Sequence, residues 1–576
     1  MKMKASFRHI ILWAVLFAGG LLNGIQGQSR YDSGLAEIAE RFPENLVVFT
    51  DRTLYAVNES IQFSAFLPSG AEPYQGPGSS VLYLELVSFS GDAVAQGKYP
   101  IKENRSTGHL ALPSNLPTGV YYVRSYTRWM RNFGPRGFTY IPIRVVNPYS
   151  GGVAGDQPGG WGNGLSAIPR GPGLVSVSPS RYTYSRGESA EVEFSLEKGT
   201  ISHIAHGCIT VVPAGALDTT GFRFGVHEKP ENSVPFQFNF LPEILGTSIS
   251  GIVTGPDDQQ AVADARIHFT ILGEEPAYFV TRSDPEGRFV ISTPLRSGPQ
   301  EMFVVPEYQS GNPVEVRIDN DFTTDPLPFK PHPFQLTRQE LALASRLSLN
   351  MQLRRTFLAD SGPGQEGLSE PMDPVPFYGD PDISVRMDDF VNLPNLEEVI
   401  ENLLPRTFIE RRGGEVHLRI DSENPMISMF PPLILIDHIP VFSVEDILAI
   451  PPSKLDHIDV ISEVYVLGEV KYGGIISFTS LAGDLASIPL PEGSYFFDYK
   501  AYEPSLKPQA ARFEGPASIP DMRNTLFWKD HLSLHPGSPV KIGFQAASVP
   551  GTYLILFRGV SSDGEVVYGM DTFGVE

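Results

Sequence analysis

From Leu46 onward, apolar and polar side chains alternate with a period of two over short runs broken by Gly, Pro, Asn and Asp. That is the pattern of strands with one face buried. Residues 46–50, 60–66, 81–87 and 120–127 read as strands; Ser90-Gly91-Asp92 turns the third, and Asn147-Pro148 closes the unit. About seven short strands in about 100 residues predict a β-sandwich. Residues 176–240 are β-rich again and predict a second sandwich. Residues 248–255 open a third β unit with a central strand over 265–271. In that unit Asp284-Pro285-Glu286-Gly287 makes a type I turn, which sets Phe289 and Ile291 on one face. A last β unit is expected from residue 485 onward, carrying 522–528 and 551–557.

The period changes to a helical one in four places. Residues 34–42 predict a short helix. Residues 338–358 predict a longer one, with Leu341, Leu343, Leu347, Leu349 and Leu353 available to one side. Asn395, with Glu398 three positions later, caps a helix that ends before Pro405, and 443–450 forms a capped helix stopped by Pro451-Pro452. Between and after these lie strands at 433–436, 457–461 and 475–479. The alternation predicts a small mixed sheet with helices on it. The fold class read from the pattern is therefore mainly β and multidomain, several sandwiches with one small α+β unit.

Composition refines this picture. The chain has 55 Gly and 51 Pro, and their densest stretches, 149–170 and 361–382, read as linkers, as does the Pro-rich 322–336. The first residues have the layout of a secretory signal: Lys2, Lys4 and Arg8, an apolar run over 10–22, and small residues before a cleavage point near Gly27. No other stretch reaches the ~20 apolar residues of a membrane-spanning helix. Three of the 44 basic residues and none of the 66 acidic ones lie in the leader, so its removal takes the net charge from -22 to -25. So acidic a chain disfavours nucleic acid and anionic lipid surfaces as partners. With Cys208 alone, no intrachain disulfide forms.

Three groups of residues carry a family resemblance. Thr50-Asp51-Arg52-Thr53-Leu54-Tyr55, followed by apolar alternation, resembles the start of a macroglobulin-type sandwich. Residues 117–134, ending in Trp129-Met130-Arg131-Asn132-Phe133-Gly134, resemble a string in large exported proteins of Gram-negative bacteria. Pro432-Leu-Ile-Leu-Ile-Asp437-His438 with Tyr472-Gly473-Gly474 resembles the plug domain of TonB-dependent transporters. In such proteins a macroglobulin-like sandwich precedes a carboxypeptidase-regulatory-like (transthyretin-like) domain and a plug-like domain. The resemblance implies a signal peptide over 1–27, a macroglobulin-like sandwich over 46–148, a linker over 149–170 and a second sandwich over 171–245. A regulatory-like domain over 248–320, a Pro-rich linker with a helix over 321–382, a plug-like domain over 383–484 and a C-terminal sandwich over 485–576 follow. The plug family has Asp-Gly where this chain has Asp437-His438, and the thioester motif of protease-trapping macroglobulins is missing. About a hundred residues after the plug-like part are too few for a barrel of roughly 22 strands.

Candidate chemistry is sparse. Ser195-Leu-Glu-Lys198 matches Ser-x-x-Lys without its usual companion motifs. His203, His206 and Cys208 lack a fourth zinc ligand. Asp319, Asp321 and Asp325 lack the Gly and distal Glu of a calcium loop. No catalytic, cofactor or metal residue is therefore assigned. The interaction candidates are Trp129, Arg131 and Phe133 in the family-like string, Trp161 between glycines, and Asp437, His438 and Tyr472 in the plug-like motifs. The expectation is an exported, non-catalytic scaffold in the periplasm or at the outer membrane, docking to a β-barrel protein or another envelope complex. A subunit of a nutrient-uptake or outer-membrane assembly complex, a hydrolase with an unrecognised site, and a protease-interacting relative of macroglobulins are the alternatives.

Overall fold

The computed structural model describes residues 44–68, 78–150, 175–196, 204–218, 239–256, 259–273, 275–293, 296–307, 313–331, 333–334, 336–357, 376–390, 393–504, 521–561 and 565–576. The leader, the expected helix over 34–42, Trp161, Lys198 and His203 lie outside them. The chain is mainly β, built as several packed sheets with one α+β unit.

The first sandwich uses β1 (Val47–Thr50), β2 (Leu54–Ala56), β3 (Ser60–Phe66), β4 (Val81–Val87), β5 (Ala93–Pro100), β6 (Arg105–Ala111), β7 (Gly119–Tyr126) and β8 (Thr139–Val146). One sheet has the order β1-β3-β6, the other β2-β8-β7-β4-β5. β4 and β7 are buried along their whole length. Two-sided burial explains their near-continuous apolar and aromatic run where alternation would mark a half-exposed strand.

After this come β9 (Val175–Pro179), β10 (Thr183–Tyr184), β11 (Ser189–Leu196) and β12 (Ile204–Pro213). An inserted sandwich follows, with β13 (Ser248–Thr254), β14 (Arg266–Ile271), β15 (Ala277–Arg282), β16 (Arg288–Ser292), β17 (Pro299–Glu307) and β18 (Glu315–Ile318). Its β15–β16 turn is the expected one. The Asp284 side chain accepts from the backbone N–H of Glu286 (2.9 Å) and of Arg288 (2.8 Å). Gly287 takes φ +74°, and a Cβ there would fall 2.5 Å from the Val253 carbonyl oxygen.

Helix α1 (Arg338–Phe357) occupies the predicted span. It buries Leu343, Ala344, Leu347 and Met351, while Leu341 and Leu349 face outward. The five predicted leucines therefore do not form one stripe. A helix turns 100° per residue, so 343, 347 and 351 share a face that 341 and 349 cannot reach.

The α+β unit contains β19 (Ile383–Arg386), α2 (Leu396–Leu403), β20 (Thr407–Arg412), β21 (Glu415–Ile420), β22 (Leu433–Ile436), β23 (Ile439–Pro440), α3 (Val444–Leu448), β24 (Leu455–Ile461), β25 (Tyr465–Leu467), β26 (Val470–Tyr472) and β27 (Ile475–Ser480). Both predicted caps form: Asn395 accepts from the Glu398 N–H and Ser443 from the Asp446 N–H. The mixed sheet runs β19-β24-β27-β22-β23, with β22 and β27 parallel.

The chain ends with β28 (Tyr495–Lys500), β29 (Phe527–Leu534), β30 (Val540–Gln545), β31 (Gly551–Ser561) and β32 (Val566–Val575). Here the pairing departs from the sequence-based expectation of separate second and C-terminal sandwiches. β12 lies between β31 and β29, and β11 between β30 and β9. The segments expected as 171–245 and 485–576 are two halves of one sandwich, sharing one core of Phe194, Ile209, Leu534, Phe544 and Phe557. β28 does not belong to it; it extends the inserted sandwich as an edge strand on β17, giving the sheet β15-β14-β17-β28 beside β16-β13-β18. Alternation marks each strand but not its partner, so local pattern is blind to pairing across some 300 residues.

The Pro-rich stretch expected as a linker is also structural. Phe322 meets Tyr83 edge-on at 5.5 Å, and Phe329 sits between Tyr122 and Tyr140 at 5.2 and 5.1 Å. Arg124 donates to the carbonyls of Asp325 (2.7 Å) and Thr323 (3.2 Å), and holds Glu85 at 2.7 Å in a fully buried pair. Prolines leave carbonyls with no ladder to join, and a buried guanidinium supplies their donors.

Candidate functional site

The family-like strings prove to be seams between parts of this chain. Trp129 opens a short 3-10 turn, is 8 % exposed and meets Phe133 edge-on at 5.9 Å. Asn132 donates to the Phe240 carbonyl (2.7 Å), and its side-chain oxygen accepts from the Asn239 and Phe240 N–H groups (3.0 Å each). Arg131 lies over the Phe240 ring at 4.0 Å and donates to the Asp321 carbonyl at 2.9 Å. Arg128 reaches the inserted sandwich through the Ser248 carbonyl and Ser250 Oγ. Trp129 is thus buried, Arg131 spans to Phe240 and Asp321 of this chain while still lining a cleft, and Phe133 packs on Trp129. The expectation of Trp129 as an external anchor is corrected by its burial: an aromatic anchor suited to recognition suits an internal joint equally.

The plug-like motifs meet the inserted sandwich in the same way. Asp437 and His438 both take left-handed backbone, φ 47° and 65°, at the β22–β23 turn. The strained turn is held by contacts on both of its residues. The Asp437 carboxylate accepts from the N–H and Oγ of Ser480 (2.8 and 2.7 Å) and from the Leu485 N–H (2.9 Å). Thr270 of β14 donates to the His438 carbonyl at 3.1 Å, and the His438 ring packs near Phe377 and Tyr378. Tyr472 is buried in a cluster with Tyr278, Tyr378 and Leu435. Beside it, Gly473 passes so close to the loop before β22 that a Cβ would fall 2.2 Å from the carbonyl oxygens of Ile427 and Phe430. Tyr472 is consequently buried, while Asp437 and His438, half-buried, are engaged by this chain's own segments.

One buried polar cluster marks this second seam. His268 Nδ1 lies 2.5 Å from Tyr278 Oη and Nε2 3.1 Å from Glu307 Oε2, with Arg266 bridging to Glu307 at 3.1 Å. Burial pushes the His268 pKa down, only partly offset by the Glu307 carboxylate. The His438 pKa is likewise lowered, mainly by burial. Burial also carries the Tyr278 phenol well above its usual value.

The metal-ligand candidates do not converge. Cys208 is fully buried against Phe49, Phe66, Trp528 and Val560, and desolvation lifts its thiol to about 11, so the thiolate that ligation requires is disfavoured. His206 stacks on Phe66 at 5.7 Å. Asp321 pairs with Lys98, Asp319 accepts from Ser250 Oγ, and Asp325 accepts from Thr323 Oγ1, three separate tasks. Among the described residues no group of three or more His, Cys, Asp or Glu side chains could hold a metal ion. No helix among them is long and apolar enough to cross a membrane.

What the sequence reading missed is a set of exposed apolar side chains. Of the 17 large apolar side chains exposed among the described residues, eight lie between Phe390 and Leu490. Phe408 on β20, and Met426 and Met429 on the turn before β22, are 45 %, 49 % and 70 % exposed. The hairpin β20–β21 carries Phe408 beside Arg419, whose guanidinium lies 5.5 Å from the ring. Phe408-Ile409 within an amphipathic hairpin was a legible signal, but which of the two faced outward depended on how the hairpin docks.

No family model matches the chain, and no curated protein sequence matches it. Among solved structures, the α2-macroglobulin of Salmonella aligns over 93% of this chain and 39% of its own length, at 10% identity and TM-score 0.22. The trypsin-activated α2-macroglobulin of Escherichia coli aligns over 93% of this chain and 41% of its own, at 10% identity and TM-score 0.22. A tetra-tandem repeat from the extending region of a large adhesion protein aligns at 8% identity and TM-score 0.12. The chain spans about two fifths of the length of those macroglobulins, and likenesses at these scores establish neither a common architecture nor a common activity.

Proposed function

We propose that this protein is an exported, non-catalytic scaffold of the bacterial envelope that docks to an outer-membrane β-barrel protein through its α+β, plug-like unit. The observation that carries the reading is the exposure of large apolar side chains on that unit, which holds seven of the seventeen such side chains among the described residues. Exposed apolar groups gathered on one module favour a surface covered by a partner. Its sheet is also asymmetric. The β23 edge is closed by the inserted sandwich, through Thr270 and through the packing of Ile439 on Phe303 and Val305. The β19 edge pairs with no further strand among the described residues, and an edge of this kind accepts a partner strand. The two internal seams serve this role by holding the unit at a fixed position relative to both sandwiches.

The test is affinity purification of the native protein from solubilised envelopes. Co-elution of an outer-membrane β-barrel protein is expected, and the triple variant Phe408→Ser, Met426→Ser, Met429→Ser should lose it while keeping the melting temperature. Recovery of the chain free and monomeric overturns the reading.

A further inference from the structure

Where the first sandwich meets the inserted one, the chain leaves a cleft of about 410 Å³, within the size range of small-ligand sites. Arg128 and Arg131 form one wall, Phe240 lies beside them, and Ser250, Asp319 and Arg288 face them from the inserted sandwich and its exit, with Thr324 at the rim. We propose that this cleft binds a small ligand through a carboxylate group, held by the guanidinium of Arg131.

The argument rests on how the charges in the cleft are already engaged. Arg128 is 3 % exposed, and its two terminal nitrogens are taken by the Ser248 carbonyl and Ser250 Oγ; Nε has no hydrogen-bond partner. Arg131 donates to a single backbone carbonyl, Asp321, and sits over the Phe240 ring. Neither guanidinium has a carboxylate within ion-pair distance among the described residues. Of the other buried arginines, Arg52 pairs with Asp51 and Glu59 and Arg124 with Glu85, whereas Arg558, enclosed in the core, donates to the Thr50 carbonyl and has no carboxylate partner among the described residues; what distinguishes Arg131 is that it lines an open cleft. Of the three acids that line the cleft, Asp284 is turned to its own turn and Asp319 to Ser250 Oγ, and Glu286 is the third; Glu243, Asp321 and Asp319 act at longer range on Arg128, not on Arg131. Burial, with the neighbouring Arg128 cation, lowers the Arg131 pKa against a weaker pull from Asp325. A guanidinium whose face is fixed on an aromatic ring still presents its N–H edge, which suits the two oxygens of a carboxylate.

Two common carriers of a carboxylate are the C-terminus of a peptide and a uronic acid. Titration of the full-length protein with an N-acetylated tripeptide, with the same tripeptide as its C-terminal amide, and with glucuronate separates them. Saturable binding of the free-acid tripeptide or of glucuronate is expected, with the amide about tenfold weaker or worse. Arg131→Met keeps the side-chain stem on Phe240 and should weaken binding by a similar factor. Because Arg131 also joins two parts of the chain, Thr324→Trp is the second variant; Thr324 is exposed, so the indole should obstruct the cleft without disturbing the fold. No saturable binding of either acid, equal binding of acid and amide, or binding that survives Thr324→Trp overturns the proposal.

Discussion

Arg52 and Thr525, 473 residues apart, are joined by a hydrogen bond from Arg52 Nε to Thr525 Oγ1 of 2.8 Å. Around it Arg52 pairs with Asp51 (3.3 Å) and Glu59 (2.9 Å), Thr525 Oγ1 donates to Asp51, and Tyr55 Oη donates to Asp51 Oδ1 at 2.7 Å. Asn524 adds donations to Glu59 (2.7 Å) and to the Leu347 carbonyl (3.0 Å), which ties α1 into the same knot. The Thr50–Tyr55 string and residues 524–525 near the other end of the chain are therefore halves of one buried polar joint between the first sandwich and the split one.

Removing Arg52 strands two buried carboxylates. Arg52→Met should destabilise the protein by about 3–5 kcal/mol, whereas Thr525→Val should cost about 1–2 kcal/mol. The residues share a network, so the double variant should cost less than the sum. Urea unfolding midpoints measure all three, and strict additivity would contradict a single joint.

Glu243 gives the first seam a pH dependence. Its carboxylate accepts from Tyr83 Oη (3.0 Å) and the Ser248 N–H (2.6 Å), yet burial raises its pKa to about 7. The folded state holds this proton up to about pH 7 and the unfolded state loses it near 4.5. The group therefore costs nothing below pH 4.5 and lowers stability progressively from there to pH 7, by up to about 3 kcal/mol. Glu243→Gln should be more stable than the parent at pH 8 and indistinguishable from it at pH 4, as read by melting temperature.

The second seam responds in the opposite sense. With the His268 and His438 pKa values held below the ordinary 6.5, the unfolded chain binds more protons as pH falls through that value. Stability contributed by the neutral imidazoles is present above pH 6.5 and is lost below it. Amide hydrogen exchange of β14 and β22 at pH 7.5 and 5 should show faster opening at the lower pH. His268→Phe with His438→Gly should flatten the difference.

Cys208 should be silent toward iodoacetamide in the native protein at pH 8, since it is buried and its thiol stays protonated to about 11. It should react stoichiometrically in 6 M guanidinium, and mass spectrometry reads both states. Native labelling would show that the β12–β31 layer opens readily.

A chain ending at residue 503 lacks β29, β30, β31 and β32, and so deprives β12 of both its neighbours and β11 of one. Size-exclusion chromatography should show it aggregated, since both edges of β12, one edge of β11 and the face carrying Phe194, Ile209 and Val211 are left uncovered. Supplying residues 521–576 in trans should restore a soluble complex.

Much was legible locally. The period-two runs located most of the strands. The Arg338–Phe357 helix, the Asn395 and Ser443 caps and the Asp284 turn all lie where side-chain chemistry within a few residues dictates them. These features depend on interactions inside one turn or one pleat, so the sequence by itself determined them. What covers each element was decided only by tertiary structure. β12 shows no local sign that its partners are β29 and β31, and Arg131 reads the same whether it faces a stranger or Phe240. Pairing register, the side of α1 that is buried and the engagement of each charge depend on contacts between segments hundreds of residues apart. A pattern confined to neighbouring positions carries no information about those contacts, and they are what turned the expected interface residues inward and left Phe408, Met426 and Met429 outside.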